Sequence, residues 1–149
     1  MGTMMNQRLT LDRALQCIQN GIVKARELGF NVAITVVDDT GHLVARQRMA
    51  GALWITPEFA RAKANASAAF RATTLDLEQR FKERPFFVDS ITAMNSVGPY
   101  QFVIGRGGVP LVEGGEVVGA VGVSGAVPPD HDHAIADAAA GHPVIPKSH

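Results

Sequence analysis

Glycine recurs in the C-terminal third of the chain at spacings that ordinary strands avoid. Gly107-Gly108 precedes the apolar run 109–112, Gly114-Gly115 follows it, and the run 117–123 contains Gly119 and Gly122 before Ser124-Gly125. Glycine inside a strand packs no side chain and costs backbone entropy, so its repetition indicates tight turns and close backbone contacts. The segment is predicted to be a β-hairpin that turns at Gly114-Gly115 and packs closely against a neighbouring element.

Apolar periodicity predicts the other elements. Spacing of three and four predicts helices, and β-branched or alternating runs predict strands. The predicted helices cover 10–28, 57–70, 74–82 and a C-terminal segment after Pro128-Pro129-Asp130, and the predicted strands cover 32–37, 42–49, a segment from 101 to 104, and the two hairpin strands. Pro85, Gly98 and Pro99 predict a loop over 84–101. This order predicts an α+β fold, an antiparallel sheet of about five strands flanked by helices.

Length and charge exclude several classes of protein. The 149 residues correspond to one domain, with flexible ends predicted at 1–8 and 141–149. Fourteen basic and fourteen acidic residues without long charge runs predict no nucleic-acid partner. No stretch approaches the roughly 20 apolar residues of a membrane span, and residues 1–10 lack a basic region followed by an apolar core, so a cytoplasmic protein is expected. Cys17 is the only cysteine and is predicted to be a packed core residue.

Four motifs in order resemble the GlcG/HbpS family, whose domain also forms the C-terminus of some PduO corrinoid adenosyltransferases. They are VVDDTG at 36–41, RMAGA at 48–52, ARAKA at 60–64, and the glycine-rich hairpin with Asp130 after it. The resemblance spans about 9–140 and implies a profilin-like two-layer architecture, a homo-oligomer, and binding of haem or another tetrapyrrole. The family commonly has Met-Asp-Gly-Ala at the second motif, where this chain has Ala50 in place of the aspartate.

Arg48 and Lys63 are the main candidates for binding a ligand. Arg48 ends a predicted strand, and Lys63 lies among alanines on a predicted helix, where an unpaired charge would be costly. Each cation needs an anionic partner, which is either a ligand carboxylate or an internal carboxylate such as Asp38 or Glu58. Both alternatives stay open for each residue.

The remaining candidates are weaker and have structural alternatives. Tyr100 is a candidate for contact with a bound ring system, and Gly107, Gly108 and Ser124 are candidates for lining a pocket with backbone amides and a hydroxyl. His131 and His133 are candidate metal ligands, although residues two apart on a helix point in different directions and a structural role in the first helical turn is favoured for them.

Three hypotheses for function follow, and the third of them is an accessory protein that only stabilises a complex of a catabolic pathway. The first is a small-ligand-binding protein of the GlcG/HbpS type that assembles with itself and binds haem, another tetrapyrrole or a small organic acid in a crevice near a subunit contact. The second is a cofactor-free isomerase, tautomerase or hydrolase of a small carboxylated metabolite, in which Arg48 or Lys63 holds the carboxylate and a histidine or Asp38 transfers a proton.

Overall fold

An antiparallel sheet lies at the centre of the computed structural model, which describes residues 9–96 and 101–141. Its strands are β1 (Ala33–Asp38), β2 (Leu43–Arg48), β3 (Gly108–Glu113) and β4 (Glu116–Ser124), in the order β2-β1-β4-β3. The helices are α1 (Leu11–Leu28), α2 (Thr56–Phe70), α3 (Thr74–Phe81), α4 (Pro85–Ala93) and α5 (Pro129–Ala139). The α+β class with an antiparallel sheet is confirmed, with four strands in the described part of the chain instead of about five.

Helices cover both faces of the sheet. Alternate side chains of β1 point to opposite faces, so Ile34 and Val36 pack into the core that α1 and α5 cover, whereas Val37 packs with Ala64 and Ala68 of α2. The domain therefore has three layers, with helices on both sides of one sheet, instead of the two layers predicted.

The glycine hairpin forms as predicted. Gly114 and Gly115 have φ of 58° and 82° and connect β3 to β4, which pair from Gly108↔Gly122 to Glu113↔Glu116. Gly122 lies directly under α2, and a Cβ on it would be 1.9 Å from the carbonyl oxygen of Ala60. The close backbone contact expected from the glycine pattern is thus one between a strand and a helix.

The termini of α1 also follow the sequence. The hydroxyl of Thr10 accepts a hydrogen bond from the backbone N–H of Arg13 at 3.1 Å, and Gly29 ends the helix with φ of 84°. Cys17 of α1 is fully buried, which confirms its predicted place in the core. Burial raises the pKa of its thiol.

Two predictions between 84 and 104 are wrong. The predicted loop contains helix α4, which Pro85 begins and which places Phe87 against Phe81, with ring centroids 5.0 Å apart. The predicted strand over 101–104 is absent, because backbone groups of this segment form hydrogen bonds with residues of α2 instead of with a neighbouring strand. Val103 N–H donates to the carbonyl oxygen of Ala62 at 3.3 Å, and the Asn65 side chain donates to the carbonyl oxygen of Gln101 at 3.2 Å.

The predicted flexible ends, 1–8 and most of 141–149, lie outside the described residues. Among the described residues, none of the helices combines the length and the apolar character that crossing a membrane requires.

Candidate functional site

A crevice opens where the end of α1 meets the end of β2. Its volume is about 390 Å³, within the range of about 300–1,000 Å³ typical of small-molecule sites. Two arginines, two amides and three apolar side chains line it: Ile22, Arg26, Asn31, Gln47, Arg48, Met49 and Ala50. The lining carries two positive charges and no carboxylate, in a chain whose formal net charge is zero.

Local structure fixes the position of Arg48. Arg48 is the last residue of β2 and pairs with Ala33 of β1, and its Nη1 donates to the carbonyl oxygen of Ala52 at 2.8 Å. The loop after β2 turns sharply at Gly51, whose φ is 96° and where a Cβ would be 2.8 Å from Nδ2 of Asn31. The turn and the hydrogen bond together hold one guanidinium at the edge of the crevice and leave its other N–H groups for a ligand.

The second guanidinium comes from Arg26, in the last turn of α1. Neither Arg26 nor Arg48 forms an ion pair with a carboxylate of residues 9–96 or 101–141. The predicted internal partners of Arg48 are engaged elsewhere. Glu58 pairs with Arg46 at 3.1 Å, and Asp38 caps the turn into β2 through the N–H groups of Thr40 and His42. No carboxylate of the described residues pairs with Arg48, whose exposed side chain donates to the carbonyl oxygen of Ala52.

Lys63, in contrast, is an internal residue of the fold. Its Nζ is buried, donates to the carbonyl oxygen of Val123 at 3.0 Å, and lies 3.2 Å from Oδ2 of Asp132 on α5. Asp132 Oδ1 accepts the Ala126 N–H at 2.9 Å. Burial raises the pKa of Asp132, and the Lys63 charge and the hydrogen bonds oppose that rise. This ion pair links α2 to α5. The internal partner of Lys63 is therefore Asp132, instead of the predicted Asp38 or Glu58.

Gly107 and Gly108 lie against this ion pair. A Cβ on Gly107 would lie 2.5 Å from the Val123 carbonyl oxygen, and one on Gly108 would lie 2.5 Å from the Lys63 carbonyl oxygen. The Gly108 N–H donates to Thr74 Oγ1 at 2.8 Å, and Ser124 is buried at the end of β4. The structure brings Gly107 and Gly108 against Lys63, whereas Ser124 pairs with Ala33 of β1, and none of the three lines the Arg48 crevice.

The histidines lie in the first turns of α5. The His131 ring lies 5.0 Å from that of Phe30, and His133 Nε2 is 3.3 Å from Asp137 Oδ2 one turn along the helix. In the described ranges, no three His, Cys, Asp or Glu side chains are grouped to hold a metal ion. Tyr100 lies outside the described residues.

A second concavity of about 320 Å³ lies between α3, α4 and Ile104, lined by Glu78, Phe81, Lys82, Val88 and Ile104. It presents one acidic and one basic residue, so it offers no net charge to a ligand. The arginine crevice is the stronger candidate because both of its charges have the same sign and lack an internal carboxylate.

Sequence reasoning identified Arg48 and missed Arg26 and Asn31. A basic residue in the last turn of a helix is explained by the helix dipole alone, so Arg26 gave no separate signal. Asn31 precedes β1 in a short connection, where asparagine is common. Only the fold brings the end of α1 beside the end of β2.

Comparison with known proteins agrees with the motifs. Residues 9–141 match the family model described as haem degrading protein HbpS-like. The chain belongs to the HbpS-like family. Protein GlcG of Escherichia coli K12 is 33% identical over 119 residues, which are 78% of this chain and 81% of GlcG.

Solved structures of HbpS-like proteins share the fold. A double mutant of HbpS from Streptomyces reticuli is 27% identical, with a TM-score of 0.77 over 90% of this chain and 86% of that one. A crystal structure of PduOC in complex with haem is 24% identical, with a TM-score of 0.77 over 90% of this chain and 94% of that one, and shows likeness of fold.

Proposed function

We propose that this protein binds a small carboxylated ligand in the crevice lined by Arg26 and Arg48. The observation that carries the proposal is the pair of guanidinium groups, without carboxylate partners among the described residues, on a crevice of about 390 Å³ that also has apolar lining residues. Guanidinium groups stay charged at physiological pH and bind carboxylates in a bidentate geometry. Ile22, Met49 and Ala50 supply apolar surface for the body of the ligand.

Haem, another tetrapyrrole and a small organic acid are the proposed ligands. The family description names haem degradation, which favours the tetrapyrrole, and haem carries carboxylates on one edge of a flat apolar ring. In the proposed complex, the arginines of the crevice pair with that edge. It contains no histidine to bind iron, and its one sulfur, Met49 Sδ, accepts the Val32 N–H at 3.4 Å. An iron ligand would therefore come from another part of the chain or from a partner.

The crevice alone does not supply acid–base chemistry. Its lining residues include no carboxylate, imidazole or thiol, so none is suited to transfer a proton near neutral pH. Binding is accordingly the proposed activity of this site. The cytoplasmic location stays a prediction.

Assembly with further copies of the chain is part of the proposal. Leu53 and Trp54 follow the crevice in the loop before α2 and are 71% and 77% exposed. Large exposed apolar side chains beside each other are typical of interaction surfaces. A second subunit on this surface would extend the walls of the adjacent crevice, which suits a ligand larger than a small acid.

The test is titration of the purified protein with ferric haem, followed by the change in the Soret band, and with small organic acids, followed by calorimetry. We expect saturable binding of at least one ligand, and weakening of about 10-fold in Arg48→Gln, the scale of one charge-assisted hydrogen bond at an exposed site. Arg46→Gln is the matched control, since it removes the same charge two residues away outside the crevice. Equal affinity in Arg48→Gln and wild type would overturn the assignment of the site.

A further inference from the structure

The arginine crevice has two cationic groups on separate elements, one at the end of α1 and one at the end of β2. We infer that it recognises ligands that carry two separate carboxylates, one held at Arg26 and the other at Arg48. This inference rests on the proposed function and specifies the chemical class of the ligand.

The two arginines are positioned independently of each other. Arg26 is set by the last turn of α1 and the Gly29 cap, and Arg48 by the end of β2 and its hydrogen bond to the Ala52 carbonyl oxygen. Each guanidinium has five N–H donors. Arg48 uses Nη1 internally, and its remaining donors suffice for a bidentate carboxylate. The exposed side chain of Arg26 has no hydrogen bond or ion pair within the described ranges, so its guanidinium donors are all available.

Charge balance favours a doubly anionic ligand. Two like charges that line one crevice repel each other, and no lining carboxylate offsets them. Both side chains are exposed in the free protein, so a ligand with one carboxylate would neutralise one guanidinium and, where it covers the crevice, shield the other charge from water. Desolvating an unpaired charge is costly, so a second carboxylate on the ligand adds affinity both by its own hydrogen bonds and by removing that cost.

The polar groups beside the arginines fit the same ligand class. Asn31 and Gln47 line the crevice with amides that can donate to the outer carboxylate oxygens, and the apolar residues can contact a carbon skeleton that joins two carboxylates. The two propionates of haem and a short dicarboxylic acid share this chemistry. The crevice supports the shared chemistry, and the experiment separates the two sources.

The experiment compares each diacid with an esterified form. Ferric haem is compared with its monomethyl ester by absorbance titration, and succinate with its monomethyl ester by calorimetry, on wild type and on Arg26→Gln, Arg48→Gln and Arg46→Gln. We expect at least one diacid to bind about 10-fold or more tightly than its ester. The preference should fall in Arg26→Gln and in Arg48→Gln and persist in Arg46→Gln. Melting curves check that each variant is folded.

Each outcome is decisive. A preference confined to haem supports the inference with a tetrapyrrole as the source, and one confined to succinate supports it with a small acid. Saturable binding with equal affinity for diacid and ester overturns the inference and leaves the proposed function standing. A preference that persists in both Arg26→Gln and Arg48→Gln also overturns the inference, and the affinity of Arg48→Gln relative to wild type then decides the proposed function. Failure of wild type to bind any of the four compounds overturns the proposed function, and the inference with it.

Discussion

Replacing Gly122 with alanine tests how closely α2 packs on the sheet. The added Cβ would lie 1.9 Å from the Ala60 carbonyl oxygen and 2.8 Å from the Ala64 backbone nitrogen. Carbon and oxygen normally approach to about 3.3 Å, so α2 has to move away by more than about 1 Å. Both neighbours are backbone atoms, which no side-chain rotation can relieve. The movement would separate Ala64 and Ala68 from Val37 and Ala120.

Overpacking of this kind costs about 1–3 kcal/mol, and the severity of this contact places Gly122→Ala at about 3 kcal/mol. For a domain of this size, the melting temperature would fall by about 6 to 12 °C. Gly105→Ala is the matched control, because its Cβ would meet only Val103 Cγ1 at 3.5 Å and Lys63 Cε at 3.8 Å, both ordinary contacts. It should change stability by less than about 1 kcal/mol. Calorimetric melting of both variants is the assay, and equal melting temperatures would refute the reasoning.

Three further predictions concern the ion pair of Lys63 and Asp132, the turn from β1 into β2 at Asp38, and the exposed Trp54. Lys63→Met leaves the Asp132 carboxylate buried without its cation and should lower the free energy of unfolding, measured with denaturant, by about 3–5 kcal/mol. The double variant Lys63→Met/Asp132→Asn should recover much of that loss, and an undiminished loss would contradict the pairing. Hydrogen bonds from Thr40 and His42 outweigh burial, which acts the other way, and lower the pKa of Asp38. Its contribution to stability is therefore full above about pH 4 and lost as pH falls through the lowered pKa, so the unfolding free energies of wild type and Asp38→Ala should converge only in strong acid; a constant gap would count against it. Light scattering at micromolar concentration should report a mass above that of one chain, reduced in Trp54→Ser, whereas a monomeric wild type would exclude the proposed assembly.

Local sequence signals predicted most of the fold. Thr10 and Gly29 bound α1 by capping chemistry that acts within a few residues, and Gly114-Gly115 turns the hairpin for the same local reason. Gly122 also signalled a close contact, although the sequence did not show that the contacting element is α2.

The failures occurred where tertiary contacts decide the structure. Residues 101–104 are apolar enough for a strand, but Ala62 and Asn65 of α2 accept or donate the hydrogen bonds that a sheet would have used. Pro85 is predicted from the sequence to lie in a loop, whereas it begins α4, which places Phe87 beside the Phe70 and Phe81 rings.

The candidate site was half predictable for the same reason. Arg48 stood out because it ends a strand within a family motif, and Lys63 stood out as a charge among alanines. Their environments differ through residues distant in sequence. Asp132 lies 69 positions after Lys63 and forms its ion pair, while Arg26 lies on α1 and completes the crevice of Arg48.

The central claim is that the ligand lies in the arginine crevice, and mapping the bound ligand by NMR tests it most directly. Spectra of isotopically labelled protein, recorded with and without the diacid that binds, follow the backbone amides and the arginine Nε–H groups. The account predicts the largest shifts at Arg26, Asn31 and the segment 47–50, with Gly107, Gly108 and Ser124 unmoved. Shifts concentrated at those last three residues or at His131, with the arginine signals unchanged, would contradict it.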